Sequence, residues 1–284
     1  MLSREGESLK EHTSFRVGGQ AALYAEPEDV SEVRTLISES RKKNRPFFIL
    51  GAGSNLLVRD EGFPGTVIST RKLNRVSVSG RMISAECGVL LSRILKLGVK
   101  YGMSGFEFLA GIPGTVGGAL LMNSGVRERS ISKAVSEIRV LDEELNEVTL
   151  SASEITFSYR FSSLARYPFV ISAIFKGEPD ASSRIKRRIT ELVKWRIQTQ
   201  PRGFPSAGSI FRNPGGEAAG KMIDETGCKG WRCGGAVVSE KHANFIINDG
   251  NASASDILNL MARVQDAVYK KFGVRLEPEI RILG

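Results

Sequence analysis

An α+β fold is predicted by three features of this 284-residue sequence. Short β-branched and aromatic runs bounded by turn residues are interspersed with segments of helical periodicity. Two glycine-dense turns follow or precede apolar runs in the first half, and the break Lys176-Gly-Glu-Pro-Asp180 precedes long amphipathic stretches in the second.

Along the chain, Asp29 to Asn44 is read as a helix because Val30, Val33 and Ile37 share one face and Pro27 stands just upstream. Phe47 to Leu50, Thr66 to Ser69, Val76 to Val78 and Met82 to Cys87 are read as strands. Val89 to Tyr101 places Leu90, Ile94, Leu95 and Leu97 at helical spacing. Glu137 to Asp142 and Glu147 to Leu150 flank Glu143 to Asn146 as a hairpin, and Val170 to Phe175 is a buried strand. After the break, Ser182 to Gln200 is a basic amphipathic helix. Ser255 to Phe272 is another, with Ile257, Met261, Val264, Val268 and Phe272 on one face. Ala236 to Val238 and Asn244 to Ile247 lie between them as strands, and Arg275 to Leu283 is a strand by composition. There is no internal repeat and no low-complexity segment.

Composition narrows the function. Hydrophobic residues make up 41% of the chain, ample for buried cores in two or three domains. No run of about eighteen apolar residues occurs and the N-terminus is polar, so neither a membrane span nor a signal peptide is expected, and the cytoplasm is the expected compartment. Cys87, Cys228 and Cys233 are sparse and lack CxxC spacing, which predicts reduced thiols and no metal site. With His12 and His242 as the only histidines, a Ser-His-Asp triad or a histidine metal cluster has little material. The net charge of +9 suits either nucleic acid or a small anion. Its clusters, Arg41, Lys42, Lys43, Arg45 and Arg184, Lys186, Arg187, Arg188, fall on helical stretches without interleaved aromatics. That distribution favours nucleotide phosphates over nucleic acid, and no membrane partner is expected.

The stretch Leu50 to Leu57, LGAGSNLL, puts a glycine turn at the carboxyl end of a predicted strand. Gly51 and Gly53 let backbone N–H groups converge on a phosphate, and Ser54 and Asn55 add side-chain donors. Taken alone, such a turn is as readily an ordinary tight turn, since it lacks the GxGxxG spacing. Gly111 to Gly125, GIPGTVGGALLMNSG, is a second glycine-dense loop, with Thr115 and Asn123 as donors and no Gly-Lys-Ser/Thr to make a P-loop. Two such loops point to a nucleotide cofactor.

Further motifs join these: HTSFRVGG at His12 to Gly19, FSYRFSSL at Phe157 to Leu164, QPRGFPSAGSIFRNP at Gln200 to Pro214, AGKMID at Ala219 to Asp224, VVSEKHANFIIN at Val237 to Asn248, and LEPEIRILG at the C-terminus. In this order, over nearly the whole chain, they resemble the UDP-N-acetylenolpyruvoylglucosamine reductase (MurB) family. The resemblance implies a two-part FAD-binding domain of the vanillyl-alcohol-oxidase type plus a C-terminal α+β substrate-binding domain. Residues 1–70 with 275–284 would form the first FAD subdomain, 71–180 the second, and 181–274 the substrate-binding domain. It implies non-covalent FAD, since the glycine loops carry no histidine for attachment. NADPH would be the hydride donor and a UDP-sugar the substrate, reduced from an enolpyruvyl to a lactyl ether for peptidoglycan synthesis. A monomer is the expectation for assembly.

By the same resemblance, Leu50, Gly51, Ala52, Gly53, Ser54 and Asn55 would hold the FAD pyrophosphate, while Gly111, Thr115, Gly117, Gly118 and Ala119 would line the rest of the cofactor. Arg160 falls where the family's carboxylate-binding arginine does, Ser209 on its proton donor, and Glu279 on its catalytic glutamate, which would stabilise the enolic species as the protonated acid. Glu277 shares a strand face with Glu279 by period two, so only family position separates them. Without the resemblance these three read as a surface arginine, a loop serine and a strand-edge carboxylate. Tyr159, Arg196, Gln200, Arg212, Asn213 and Lys221 are candidates for the substrate. His242 and Asn244 read as buried structural residues, and His12 and Thr13 as either bordering the flavin region or fixing the N-terminal segment. Larger members of the family insert a tyrosine-bearing loop between the FSYR and QP motifs. Only about forty residues separate Arg160 from Gln200 here, so this is the shorter subtype and the tyrosine's replacement is unassigned. The competing reading is another FAD oxidase or dehydrogenase on the same cofactor scaffold.

Overall fold

The computed structural model describes residues 1–126 and 128–284. Its contacts divide the chain into two compact units. The first comprises residues 1–3, 25–52 and 67–196, and the second 4–24, 53–66 and 197–284.

In the first unit a five-stranded antiparallel sheet runs in the order Glu147–Ser151, Val135–Leu141, Phe169–Lys176, Met82–Glu86, Val76–Ser79. The predicted hairpin is thus one edge of this sheet, with Glu137 opposite Ser151 and Leu141 opposite Glu147. Helices α2 (Leu91–Lys100) and α3 (Val116–Leu121) cover it, burying Leu91, Ile94, Val116 and Leu120 against Ile83, Ile138 and Phe175. Helix α1 (Val30–Lys42) begins where Asp29 accepts the Glu32 N–H at 2.9 Å, and packs Val33, Leu36 and Ile37 against Ile68, Phe169 and Ile171.

Helix α4 (Ser182–Thr199) has Ile185 as its one buried residue among those described. It is held to the first unit by charge. Arg188 bonds Glu107, itself 6% exposed, at 2.6 Å and Asp180 at 2.5 Å. The hydrogen bonds from Arg188 and then Arg184 hold the Asp180 carboxyl down at about 2. The compact units cut across the three sequence segments, with residues 1–3 and 25–52 in the first unit and 4–24 and 53–66 in the second. The break at 176–180 is bridged by Glu178–Pro179 pairing with Met103–Ser104, and the contacts change unit only after Arg196.

The second unit gathers Phe15, Val17 and Leu57 with apolar side chains of α5 (Ala219–Glu225), α6 (Ala254–Phe272) and the sheet Arg232–Cys233, Ala236–Val238, Ile246–Asn248. The N-terminus of α6 receives Asp60, whose carboxylate accepts the N–H groups of Ala254 and Ser255 at 2.8 Å each. Strand Arg281–Leu283 pairs in parallel with Leu56–Val58.

Several elements differ from expectation. Leu2–Ser8 and Gln20–Glu26 are strands in the sheet of order Leu2–Ser8, Gln20–Glu26, Phe63–Ser69, Phe47–Leu50. The first shows no alternation because almost every position is exposed, and the second is alanine-rich. Helices α3 and α5 were hidden by their shortness and their glycines. The expected strand Arg275 to Leu283 is strand only at Arg281–Leu283, because Pro278 lacks an N–H and makes a single bridge to Phe211. Asn244 to Ile247 shifts to Ile246–Asn248, since the Phe245 N–H turns back to the His242 carbonyl at 2.9 Å.

His242 is a packed structural residue, as expected. Its Nδ1 accepts the Asn244 N–H at 3.3 Å and its ring meets Phe245 edge-on at 4.9 Å. Burial pushes its pKa below the ordinary imidazole value. The folded chain therefore resists a proton that the unfolded chain accepts, so stability is full at neutral pH and is lost as pH falls through about 6.5. Denaturant titrations at pH 7.5 and 5.5 are expected to show a smaller acid-side loss in His242→Gln than in the native chain.

Candidate active site

The first unit holds one group of the singled-out residues. Leu50 ends its strand with its carbonyl accepting both the N–H (2.9 Å) and the hydroxyl (3.2 Å) of Thr70. Next to it, a Cβ on Gly51 would come within 2.6 Å of Thr115 Oγ1. That hydroxyl is buried and has no hydrogen-bond partner. A buried orphan hydroxyl is costly unless a ligand completes it. A polar cofactor passing over the glycine corner supplies the missing partner, so Gly51 and Thr115 fit FAD.

The neighbouring residues divide between contact and support. Val116 and Gly117 donate their N–H groups to Val89 and Cys87 carbonyls at 2.9 and 2.8 Å, anchoring the loop to the sheet. Gly117 is packed on Cys87, where an added Cβ would have only 3.0 Å. Burial raises the Cys87 thiol pKa, which fits an inert filler. Gly118 and Ala52 are exposed, and Ala119 is buried in the core.

Arg160 and Tyr159 form the two-residue turn between Phe157–Ser158 and Phe161–Ser162. Arg160 has φ of 55°, a left-handed conformation that a residue with a Cβ rarely adopts. Its guanidinium stands 5.0 Å from the Tyr159 ring centroid, and Tyr159 is 51% exposed. Asn123, read from sequence as a ligand donor, gives its amide to the Ser158 carbonyl at 2.9 Å and braces this turn. Arg196 reaches Gly111, donating to its carbonyl at 3.3 Å. Burial first, and then the charge of Arg160, press the Arg196 guanidinium below its ordinary pKa.

The second unit holds the other group. Gly53 has φ of 62°, and a Cβ there would overlap the His12 carbonyl oxygen. Ser14 donates its backbone N–H to the Gly53 carbonyl at 3.1 Å. His12 stacks on Tyr24 at 4.3 Å and bonds Glu7 at 2.9 Å, so the N-terminal segment braces the turn. Gly53→Ala is expected to cost about 2–3 kcal/mol from left-handed strain and overlap. A lowered thermal midpoint with weaker retention of FAD is the result to look for.

Glu279 and Ser209 lie on neighbouring segments. The Glu279 N–H donates to the Ile210 carbonyl at 2.7 Å, Phe211 bridges Pro278, and the Arg212 N–H donates to the Glu277 carbonyl at 2.9 Å. Glu279 is half-buried whereas Glu277 is exposed, which separates the two carboxylates that sequence alone left equivalent. Asn244, expected to be a buried structural residue, clamps this region. Buried to 3% exposure, it accepts the Phe211 N–H at 2.9 Å and donates to the Phe211 carbonyl at 2.8 Å. Asn55, read as a cofactor donor, places its amide 3.1 Å from the Glu279 carbonyl. Ser54 and Gln200 are half-buried nearby in sequence to these elements.

Among the substrate candidates, Arg212 has a buried Nε without a hydrogen-bond partner, which suits an anionic ligand. Asn213 accepts the Ala219 N–H at 3.1 Å at the start of α5. Lys221 is 72% exposed and pairs loosely with Glu225 at 3.7 Å, a solvated cation.

Comparison with known proteins identifies the family. The family model described as an FAD binding domain matches residues 21–150, and the model for the UDP-N-acetylenolpyruvoylglucosamine reductase C-terminal domain matches residues 200–283. The chain is 45% identical to the UDP-N-acetylenolpyruvoylglucosamine reductase of Clostridium tetani over 99% of its length and 92% of that protein. It is also 45% identical to that of Moorella thermoacetica, over 98% of its length and 92% of the relative. Among solved structures, the Thermus caldophilus reductase aligns at a TM-score of 0.87 with 35% identity, covering the whole of both chains. An FAD-binding half and a C-terminal half that both match, at this identity over nearly the full length, place the chain in the UDP-N-acetylenolpyruvoylglucosamine reductase (MurB) family.

Proposed function

We propose that the chain reduces UDP-N-acetylglucosamine-enolpyruvate to UDP-N-acetylmuramate, the FAD-dependent step of peptidoglycan precursor synthesis, in the cytoplasm and as a monomer. FAD, which the Gly51 corner and the Thr115 hydroxyl would hold, would supply the hydride, received from NADPH, that the enolpyruvyl methylene carbon takes up. Everything else falls to the chain's own residues.

Addition at the methylene leaves an electron pair on the adjacent carbon, shared with its carboxylate. Arg160 meets that carboxylate with a planar cation, whose hold strengthens as enolate charge develops. Glu279 stabilises the enolic form from its half-buried position. The Ser209 hydroxyl gives its proton to the carbon, completing a balance of one hydride and one proton per product. Arg196 draws the anionic substrate toward the glycine loops, with Gln200, Arg212, Asn213 and Lys221 as further contacts. Tyr159 flanks Arg160.

The observation that carries this reading is the pairing in the second unit. The Glu279 N–H bonds the residue that follows Ser209, holding acid and proton donor on adjoining backbone. We assign residues 1–70 with 275–284 and 71–180 to the cofactor and 181–274 to the sugar nucleotide. The parallel pairing of Arg281–Leu283 with Leu56–Val58 supports joining the C-terminal strand to the first segment.

Turnover in D2O tests the proton step. The product is expected to carry deuterium on the lactyl carbon bearing the ether oxygen. An unlabelled carbon there would rule out a solvent-exchanging donor such as serine.

A further inference from the structure

We propose that Asn55 is a positioning residue for Glu279, and that the loop sequence Gly53-Ser54-Asn55 couples the cofactor turn to the acid of the second half-reaction. This rests on the role assigned to Glu279 above.

The peptide units around Glu279 are held from two sides. Its N–H donates to the Ile210 carbonyl at 2.7 Å, and its carbonyl accepts the Asn55 amide at 3.1 Å. The Asn55 carbonyl in turn accepts the Arg281 N–H at 3.0 Å, immediately before the parallel pairing of Arg281 with Leu56 begins. Asn55 therefore extends that two-stranded ladder one step beyond the strand end. The bond at this step is made by the side chain, two residues after the left-handed turn at Gly53 with φ of 62°. A side-chain amide is the group that both reaches and donates there; aspartate has the same shape and no donor.

The consequence is specific to one half of the reaction. Reduction by NADPH needs the cofactor but not Glu279, whereas product formation needs Glu279 in place. A small displacement of a catalytic group costs on the order of 10²-fold. Asn55→Asp is thus expected, once saturated with FAD, to be reoxidised by UDP-N-acetylglucosamine-enolpyruvate about 10- to 100-fold more slowly, a larger loss than it shows in reduction by NADPH. The pH profile of that second step should shift with it. Asn55→His, which keeps a donor, should recover part of the loss.

Two readouts stand apart from turnover. Titration of the apoprotein with FAD measures whether Asn55 contributes to cofactor affinity. Hydrogen exchange of the apoprotein over 277–283 is expected to quicken in Asn55→Asp while exchange in Val135–Leu141 stays native. Native exchange at 277–283 with a native reoxidation rate would overturn the proposal. So would equal slowing of both half-reactions, which would mark general damage. If Asn55→Asp cannot be loaded with FAD, the exchange result decides alone. If the native enzyme is not reoxidised by this substrate, the functional reading fails, and exchange still decides whether the clamp exists.

Discussion

Ser209→Ala is expected to leave reduction by NADPH intact and to slow reoxidation by the enolpyruvyl substrate about 10²- to 10⁴-fold, the usual worth of a positioned proton donor. Anaerobic stopped-flow traces at the flavin absorbance read both phases. The reason for so clean a division is placement. Ser209 precedes Ile210, whose N–H donates to the Asn244 carbonyl at 2.9 Å and whose carbonyl receives the Glu279 N–H. Phe211 is clamped on both its backbone groups by Asn244. The segment is held by its backbone, so loss of the Ser209 oxygen removes chemistry and leaves the fold. Equal slowing of both phases would assign Ser209 to structure instead.

Arg160→Gly is expected to lower kcat about 10²- to 10³-fold, the range for removal of one preorganised charge-stabilising group. The same substitution should leave stability unchanged or raise it by about 1 kcal/mol, because glycine adopts φ of 55° without the Cβ penalty that arginine carries. Opposite signs for activity and stability are the diagnostic: strain retained at a turn where glycine would be easier points to a side chain kept for function. Arg160→Lys should recover only part of the rate, since an ammonium cannot grip a carboxylate in two places. A variant that loses stability along with activity would make Arg160 a structural residue.

Helices with strong apolar periodicity were legible from sequence because burial writes the pattern directly: Val33 and Ile37 in α1, and Val264 and Val268 in α6, all face cores. Leu2–Ser8 was not legible, since an exposed strand has no face to encode. The Arg188 staple was not legible either, because its partner Glu107 lies 81 residues away in sequence and the pair leaves no periodic trace. At the site, the glycine turns marked themselves by composition, and the orphan hydroxyl of Thr115 gives one of them a polar ligand to complete. Two asparagines have a structural bond that the sequence does not display: Asn55 and Asn123, read as ligand donors because they stand in ligand-like loops, also give an amide N–H to the backbone carbonyls of Glu279 and Ser158. An amide that caps a carbonyl and one that meets a phosphate look the same in sequence, and only the folded chain tells them apart.

The most direct test of the whole account is the visible spectrum of the purified protein under anaerobic conditions. Flavin bands are expected to bleach on one equivalent of NADPH and return on addition of UDP-N-acetylglucosamine-enolpyruvate, with UDP-N-acetylmuramate formed in equal amount. Bands that bleach and stay bleached would contradict the assigned substrate, and a protein that neither carries nor takes up FAD would contradict the account at its root.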